Sequence, residues 1–558
     1  VLGSRGLGDV YKRQVLAVTD RMELKTQKKE AALTVNELLY LIFFGVMLFS
    51  KGMGWYDGMR PYQLCLLIGM GCLGLKLILT KYTPWQLLVA AVFGVLGVLS
   101  WRCSAEKGML TCVMMLIGMK DVRIKKVFQV GAVVWSSVFL YRILAFLIGW
   151  DKGILLVHKK LGAFIFRWSM GYPHPNVFHI SYVILLAFLF YLLQQKGKKL
   201  FGWIVAALVG NVLIFIYSVS FTGFLLTGIY LMLVLYFELR SQFKKPEKVL
   251  MQCVLPAGLA FSLLAPLIPE GNQFYEVMNK LMNTRLRLSK YFLTQERITL
   301  FGQQFQLADK DLNMDNSYVF ALMTYGAVVF VLLMIAYFFT IRNLVKENRR
   351  KELAITLGFL IAGISEPFLF NTSFKNVSLI FVGSYLLNEA NPIRRQNIAW
   401  IGICTLGDRS LPKNAPAEKL AENFLLGLKR IGAAAGEKKY LIAALTCACV
   451  VIGGTAFGLT AQMPKEYLVP KSICDYSLQE VYYLDEEAAA KERANGSEVL
   501  YYMGEETPMF RFSGVTVTVE WMRGMIGAAI LTGAAGTLLG TGIAEILEKG
   551  RKKSGQYE

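Results

Sequence analysis

Along most of the chain, apolar runs of about twenty residues alternate with short polar connections, and twenty residues is the length a helix needs to cross a bilayer core. These runs predict spans near 34–50, 62–80, 85–101, 105–119, 127–149, 176–194, 200–218, 221–237, 248–268, 317–340, 352–370 and 373–389. Two further runs, about 440–461 and 524–546, bracket a polar stretch at 462–521. Within that stretch the pattern predicts a helix from Asp485 to Asn495, stopped by Gly496, and a strand-like alternation of Phe510, Phe512, Val515, Val517 and Val519. The expected fold is all-α: a polytopic integral membrane protein with about twelve transmembrane helices, followed by a two-helix hairpin that carries a small external α+β segment. Gly454-xxx-Gly458 and Gly536-xxx-Gly540 would let the two hairpin helices approach closely.

Basic residues punctuate every second connection. They precede the first span (Lys25, Lys28, Lys29) and follow the second (Lys81), fourth (Lys120, Arg123, Lys125, Lys126) and sixth (Lys196, Lys198, Lys199). The series continues with Arg240, Lys244, Lys245 and Lys248, then Arg342, Lys346, Arg349, Arg350 and Lys351, then Arg394 and Arg395. The positive-inside rule makes these loops cytoplasmic, with both termini on that side of the cell membrane. The net charge of +21 over 558 residues is therefore a product of topology, and nucleic acid is not an expected partner. A hydrophobic content of 55% and a mean hydropathy of +0.45 exclude a soluble globular chain. The nine cysteines lie mostly in apolar runs and read as packing residues, with Cys474 the exception in the external stretch.

The chain divides accordingly. Residues 1–21 read as a non-native leader, since Val1 to Gln14 contains no Met and no apolar core. Residues 22–395 form the polytopic membrane domain, and 396–439 a cytoplasmic linker with an amphipathic piece from Glu418 to Arg430. Residues 440–558 form the hairpin with its external segment.

Two external connections, 150–175 and 269–316, are long and rich in aromatic residues, and they carry cations against the usual bias. An anionic partner would explain those cations. The first loop ends in Arg167-Trp-Ser-Met-Gly171-Tyr-Pro-His174-Pro175-Asn176, which could equally be an aromatic belt with a Pro-bounded helix start. The second holds Arg285, Arg287, Lys290 and Arg297, then Phe301-Gly302, then Asp315-Asn316-Ser317-Tyr318 ahead of Gly326. Arg285 and Arg287 could grip a diphosphate through forked hydrogen bonds, or could be solvated external charge. Asp315 could be a general base or an ordinary helix cap. Glu366, between Ser365 and Pro367, is a carboxylate within an expected span, where it should face a cavity or a partner. Asp309-Lys-Asp311 has the spacing of a metal-binding pair, but on the side away from nucleotide sugars. The three histidines, His158, His174 and His179, do not make a metal site, and His179 reads as a satisfied helix residue. No metal or other cofactor is assigned.

Taken in order, Arg167, Gly171, Pro175 and Asn176, then Phe301, Gly302, Asn316, Tyr318 and Gly326, with two enlarged external loops, make residues 34–390 resemble the O-antigen polymerase and O-antigen ligase superfamily of bacterial membrane glycosyltransferases. The resemblance implies a donor oligosaccharide on undecaprenyl diphosphate, transferred without metal or nucleotide. It implies that Arg167, Arg285 and Arg287 hold diphosphate, that the helix-start residues Asn176, Asn316 and Tyr318 contact the acceptor, and that Asp315, the candidate base, lies by the acceptor hydroxyl. Glu366, read from its place in a span, serves either site architecture or helix packing. Ligases of this group carry a His before the second Asn, whereas Asp315 stands here, which favours a polymerase over a ligase. Lipid-linked oligosaccharides and membrane lipids are then the expected partners, with a flippase and a chain-length regulator as protein candidates. A lipid-linked oligosaccharide flippase is the rival class. The C-terminal hairpin is not part of the usual pattern, and is expected to influence chain length or assembly while being dispensable for bond formation.

Overall fold

The computed structural model describes residues 33–151, 153–160, 163–305, 313–371, 374–390, 404–409, 439–470, 487, 490–491, 494, 501–503 and 509–554. The leader at 1–21, Asp309 and Asp311, the Glu418 to Arg430 piece, Cys474 and most of the helix expected over Asp485 to Asn495 lie outside them.

Eleven helices among the described residues are long and apolar enough to cross a membrane, as expected of a polytopic membrane protein. The first, α1 (Val35–Gly52), opens on a capping box in which Thr34 and Glu37 bond reciprocally. Glu37 also accepts a forked pair of hydrogen bonds from Arg123 at 2.6 and 2.7 Å, tying the basic ends of two helices together. There follow α2 (Arg60–Leu79), α3 (Pro84–Ser104), α4 (Gly108–Ile117) and α5 (Ile124–Leu147). A β-hairpin, β1 (Leu155–Lys160) and β2 (Ala163–Trp168), occupies the first long loop. The bundle continues with α6 (Pro175–Leu192), α7 (Gly197–Ser218), α8 (Phe221–Leu239) and α9 (Lys245–Leu264). In the second long loop lie α10 (Gln273–Leu281) and α11 (Arg285–Gln295). After them come α12 (Ser317–Tyr325), α13 (Ala327–Lys346), α14 (Arg350–Ala362) and α15 (Leu379–Ser384), the last extended by a π-turn to Glu389. The C-terminal unit comprises α16 (Lys439–Thr460), β3 (Glu466–Pro470), β4 (Tyr501–Met503), β5 (Met509–Ser513) and α17 (Val515–Ser554).

Three expected spans are not long helices. The runs at 105–119, 352–370 and 373–389 yield α4, α14 and α15, of 10, 13 and 6 residues. Ten residues of helix cover about 15 Å, half of a hydrocarbon core of about 30 Å. Their side chains are enclosed by protein, with Met115, Ile355, Leu360 and Ile380 fully buried. The run at 317–340 is also interrupted, at Gly326. Its φ of +89° with ψ of 160° is a conformation essentially confined to glycine, and a Cβ there would collide with the backbone of Leu300 and Gly302. Gly302 has φ +98° and meets the carbonyl of Thr324 in the same way. Two bare backbones thus pack together, and Ala327 N donates to Thr299 O at 2.9 Å across the contact.

The strand-like alternation beyond Phe512 is corrected by the fold. Gly514, at φ +65°, ends β5, and Val515, Val517 and Val519 form the first turns of α17. Their β-branched preference yields to the forty-residue helix that follows. α16 and α17 run antiparallel, with Gly536 against Cys449 and Gly540 against Ile442. The sheet β3-β5-β4 joins them, and its Val469 and Phe512 share a small apolar core with Leu155, Val157, Phe164 and Phe166 of the β1–β2 hairpin.

Candidate anion-binding site

β1 and β2 pair in antiparallel register, Leu156 opposite Arg167. Because side chains alternate along a strand, Phe164, Phe166 and Trp168 share one face and Arg167 takes the other. The Arg167 guanidinium reaches the end of α7, where Nε donates to Ser218 O at 3.1 Å. It also donates to Asn176 Oδ1 at 2.6 Å. Asn176 sits in the first turn of α6, which Pro175 opens and His174 caps by accepting from Asn176 N at 3.0 Å. Asn176 therefore orients Arg167. His179, one turn further on, is buried against Asn211 Oδ1 at 2.7 Å and Ser218 Oγ at 3.2 Å.

In the second loop the chain reverses at Asn283 and Thr284, with φ of +52° and +66°, and so starts α11 at Arg285. A left-handed conformation is unusual for a β-branched threonine, and strain of about 1–3 kcal/mol is stored beside a buried cation. Arg285 points into the protein, and Arg287 is exposed. The alternation in sequence suggests one paired grip, but a helix turns residues two apart onto different faces, and only Arg285 faces the interior. The Arg285 guanidinium lies 3.2 Å from Asp315 Oδ2 and 3.3 Å from Glu366 Oε1, and NH1 is 3.4 Å from Thr222 Oγ1 of α8.

Glu366 is not inside a helix, as an apolar span would have it. α14 stops at Ala362, and Pro367 forces Glu366 into extended backbone at φ −140° and ψ 139°. Irregular backbone at such a place needs to be surrounded by protein or to line a cavity, and the carboxylate is buried against Arg285. Arg167, Asp315 and Lys375 all lie within electrostatic reach of it. With all five groups ionised, three cations face two carboxylates, an excess of one positive charge around the buried Arg285 and Glu366. Burial brings the Arg167 guanidinium down to about 10, helped by Arg285 and opposed by Glu366, which leaves it protonated at neutral pH. Burial raises the Asp315 carboxyl above its usual range, and Arg285 opposes the rise.

Asp315 is not the helix cap. That part falls to Asn316, whose Oδ1 accepts from Tyr318 N at 2.9 Å and Val319 N at 3.2 Å. Its amide nitrogen donates to Ser262 Oγ at 2.9 Å and Ile364 O at 3.0 Å, so its side chain is engaged within the protein. Tyr318 is fully buried and donates to Leu360 O at 2.7 Å, bracing α12 on α14. Lys290 pairs with Glu270 at 3.2 Å, away from the cluster.

Lys375 escaped the sequence reading, although it is a charge inside an expected span and signals function by the same rule as Glu366. Ser218, Ser262 and Thr222 carry no comparable signal, because a lone hydroxyl in an apolar run is usually satisfied by its own helix. Comparison with protein-family models, with curated proteins and with solved structures finds no match to this chain.

Proposed function

We propose that the chain polymerises undecaprenyl-diphosphate-linked oligosaccharide repeat units into a surface polysaccharide, such as a capsule, exopolysaccharide or O-antigen-like chain, at the outer face of the cytoplasmic membrane. In this reading the twelve-run region is the enzyme, the C-terminal hairpin is appended to it, and both termini are cytoplasmic. One observation carries it: buried Arg285 is held between Asp315 and Glu366, with Arg167 in reach, where the two long loops meet. A partly buried excess of positive charge suits a leaving diphosphate, whose charge grows as its bond to the sugar breaks. Asp315 takes the proton of the acceptor hydroxyl, whose oxygen then bonds to the anomeric carbon. The bond from that carbon to the diphosphate oxygen breaks, and undecaprenyl diphosphate departs toward the arginines.

The test is a gel of lipid-linked glycans from cells expressing Arg285→Ala or Arg167→Ala at matched membrane levels. Single repeat units should accumulate on lipid at the expense of long chains. Normal long chains in both variants overturn the assignment. A flippase is the second reading, favoured by the buried charges Lys51, Lys375 and Glu366 within the bundle. It predicts instead that repeat units in these variants stay at the inner face.

A further inference from the structure

A two-stranded hairpin is marginally stable by itself in water, so β1–β2 needs a surface to pack on before it can hold Arg167 in place. That surface is the C-terminal unit. Phe166 meets Phe512 edge to face with ring centroids 4.6 Å apart, and Phe164 meets the same ring at 5.8 Å. Three polar bonds follow the strand. Thr516 Oγ1 donates to Phe164 O at 2.8 Å, Arg523 NH1 donates to Phe166 O at 2.8 Å, and Trp168 Nε1 donates to Glu520 Oε2 at 2.8 Å. Glu520 and Arg523 are themselves a buried ion pair one turn apart on α17. Tyr217, beside the Ser218 carbonyl that Arg167 uses, donates to Arg523 O at 2.8 Å.

We infer that the C-terminal unit is a clasp that sets the register of β2, and that Glu520 and Arg523 are positioning residues which aim Arg167 into the anion site. A one-residue slip of a strand exchanges its two faces. By holding Phe164, Phe166 and Trp168 on the clasp side, α17 and β5 leave Arg167 only the opposite side, toward Asn176 and Ser218. The hairpin is then coupled to the chemistry, whereas the sequence alone suggested an attachment dispensable for bond formation. The inference rests on Arg167 being an anion contact, as proposed above.

The experiment uses the full chain in lipid nanodiscs, with farnesyl diphosphate as the probe. The Glu520→Ala/Arg523→Ala variant removes both charges together, so neither is left buried alone. Phe512→Ala loosens the apolar half and leaves the charges in place. Two readouts are taken: amide hydrogen exchange over residues 155–168, and affinity for the probe, each also in an Arg167→Lys background. Faster exchange in both clasp variants is expected, with affinity reduced about tenfold or more, as for a lost charge-assisted hydrogen bond. The affinity loss should largely vanish when Arg167 is already Lys, since residues acting through one another are non-additive. Unchanged exchange overturns the clasp. Faster exchange with unchanged affinity, while Arg167→Lys alone weakens the probe, overturns the positioning role. If Arg167→Lys alone leaves affinity intact, the reading of Arg167 as an anion contact fails, and this inference fails with it.

Discussion

Arg285 and Arg287 stand two positions apart in an identical chemical guise, yet only Arg285 is enclosed with Asp315 and Glu366. Arg285→Lys keeps the charge but loses the planar fork that spans two acids, so chain formation should fall substantially, and Arg285→Ala should abolish it. Arg287→Ala, on an exposed face, should leave chain length on the same glycan gel near wild type. Equal loss in both would restore the paired grip. As the proposed base, Asp315 should give a pH signature. A base acts only when ionised, and activity is lost as pH falls through its folded pKa. Since burial raises that value, the acid limb of the rate profile should lie above the ordinary Asp range of about 4. Asp315→Asn should remove that limb and cost about 10²- to 10⁴-fold in rate. A profile retaining the limb assigns it to another group. The acid and the arginines were visible as residue types in the sequence, but the face each one takes was not.

At the scale of elements, the meeting of Gly302 and Gly326 holds the second loop against the break between α12 and α13. Gly326→Ala requires a conformation worth about 1–3 kcal/mol of strain and adds a collision with backbone that cannot give way. The purified protein should melt at a distinctly lower temperature. Gly228→Ala is the control, because a Cβ inside α8 meets nothing within 4 Å and a helix gains up to about 1 kcal/mol from the exchange. A Gly326→Ala protein as stable as this control would mean that the glycine contact is incidental. Both glycines were conspicuous in the sequence through the motifs around them. Their contact was not, since it joins segments more than twenty residues apart through bare backbone. The end of α14 at Ala362 was legible in principle, because Pro367 disfavours helix at the residue before it.

For the whole molecule, the positive-inside rule predicts the orientation of the bundle from its alternating basic loops. Single cysteines replacing Gly197 or Arg297, in chains whose nine native cysteines are removed, can be probed with an impermeant maleimide in intact cells. Position 297 should label at once, and position 197 only after permeabilisation. The reverse pattern would invert the topology. The sequence by itself determined that this is a polytopic membrane protein, and it located most of the long helices to within a few residues, because a bilayer imposes length, apolarity and charge asymmetry locally on each segment. Only the tertiary structure decided which runs form short helices enclosed by protein, which arginine turns inward, and that a sheet near the C-terminus grips a hairpin more than three hundred residues earlier. An apolar run records that a segment leaves water, but not whether lipid or protein receives it. A side chain's direction depends on where its helix or strand begins, and that is set by turns and by distant partners.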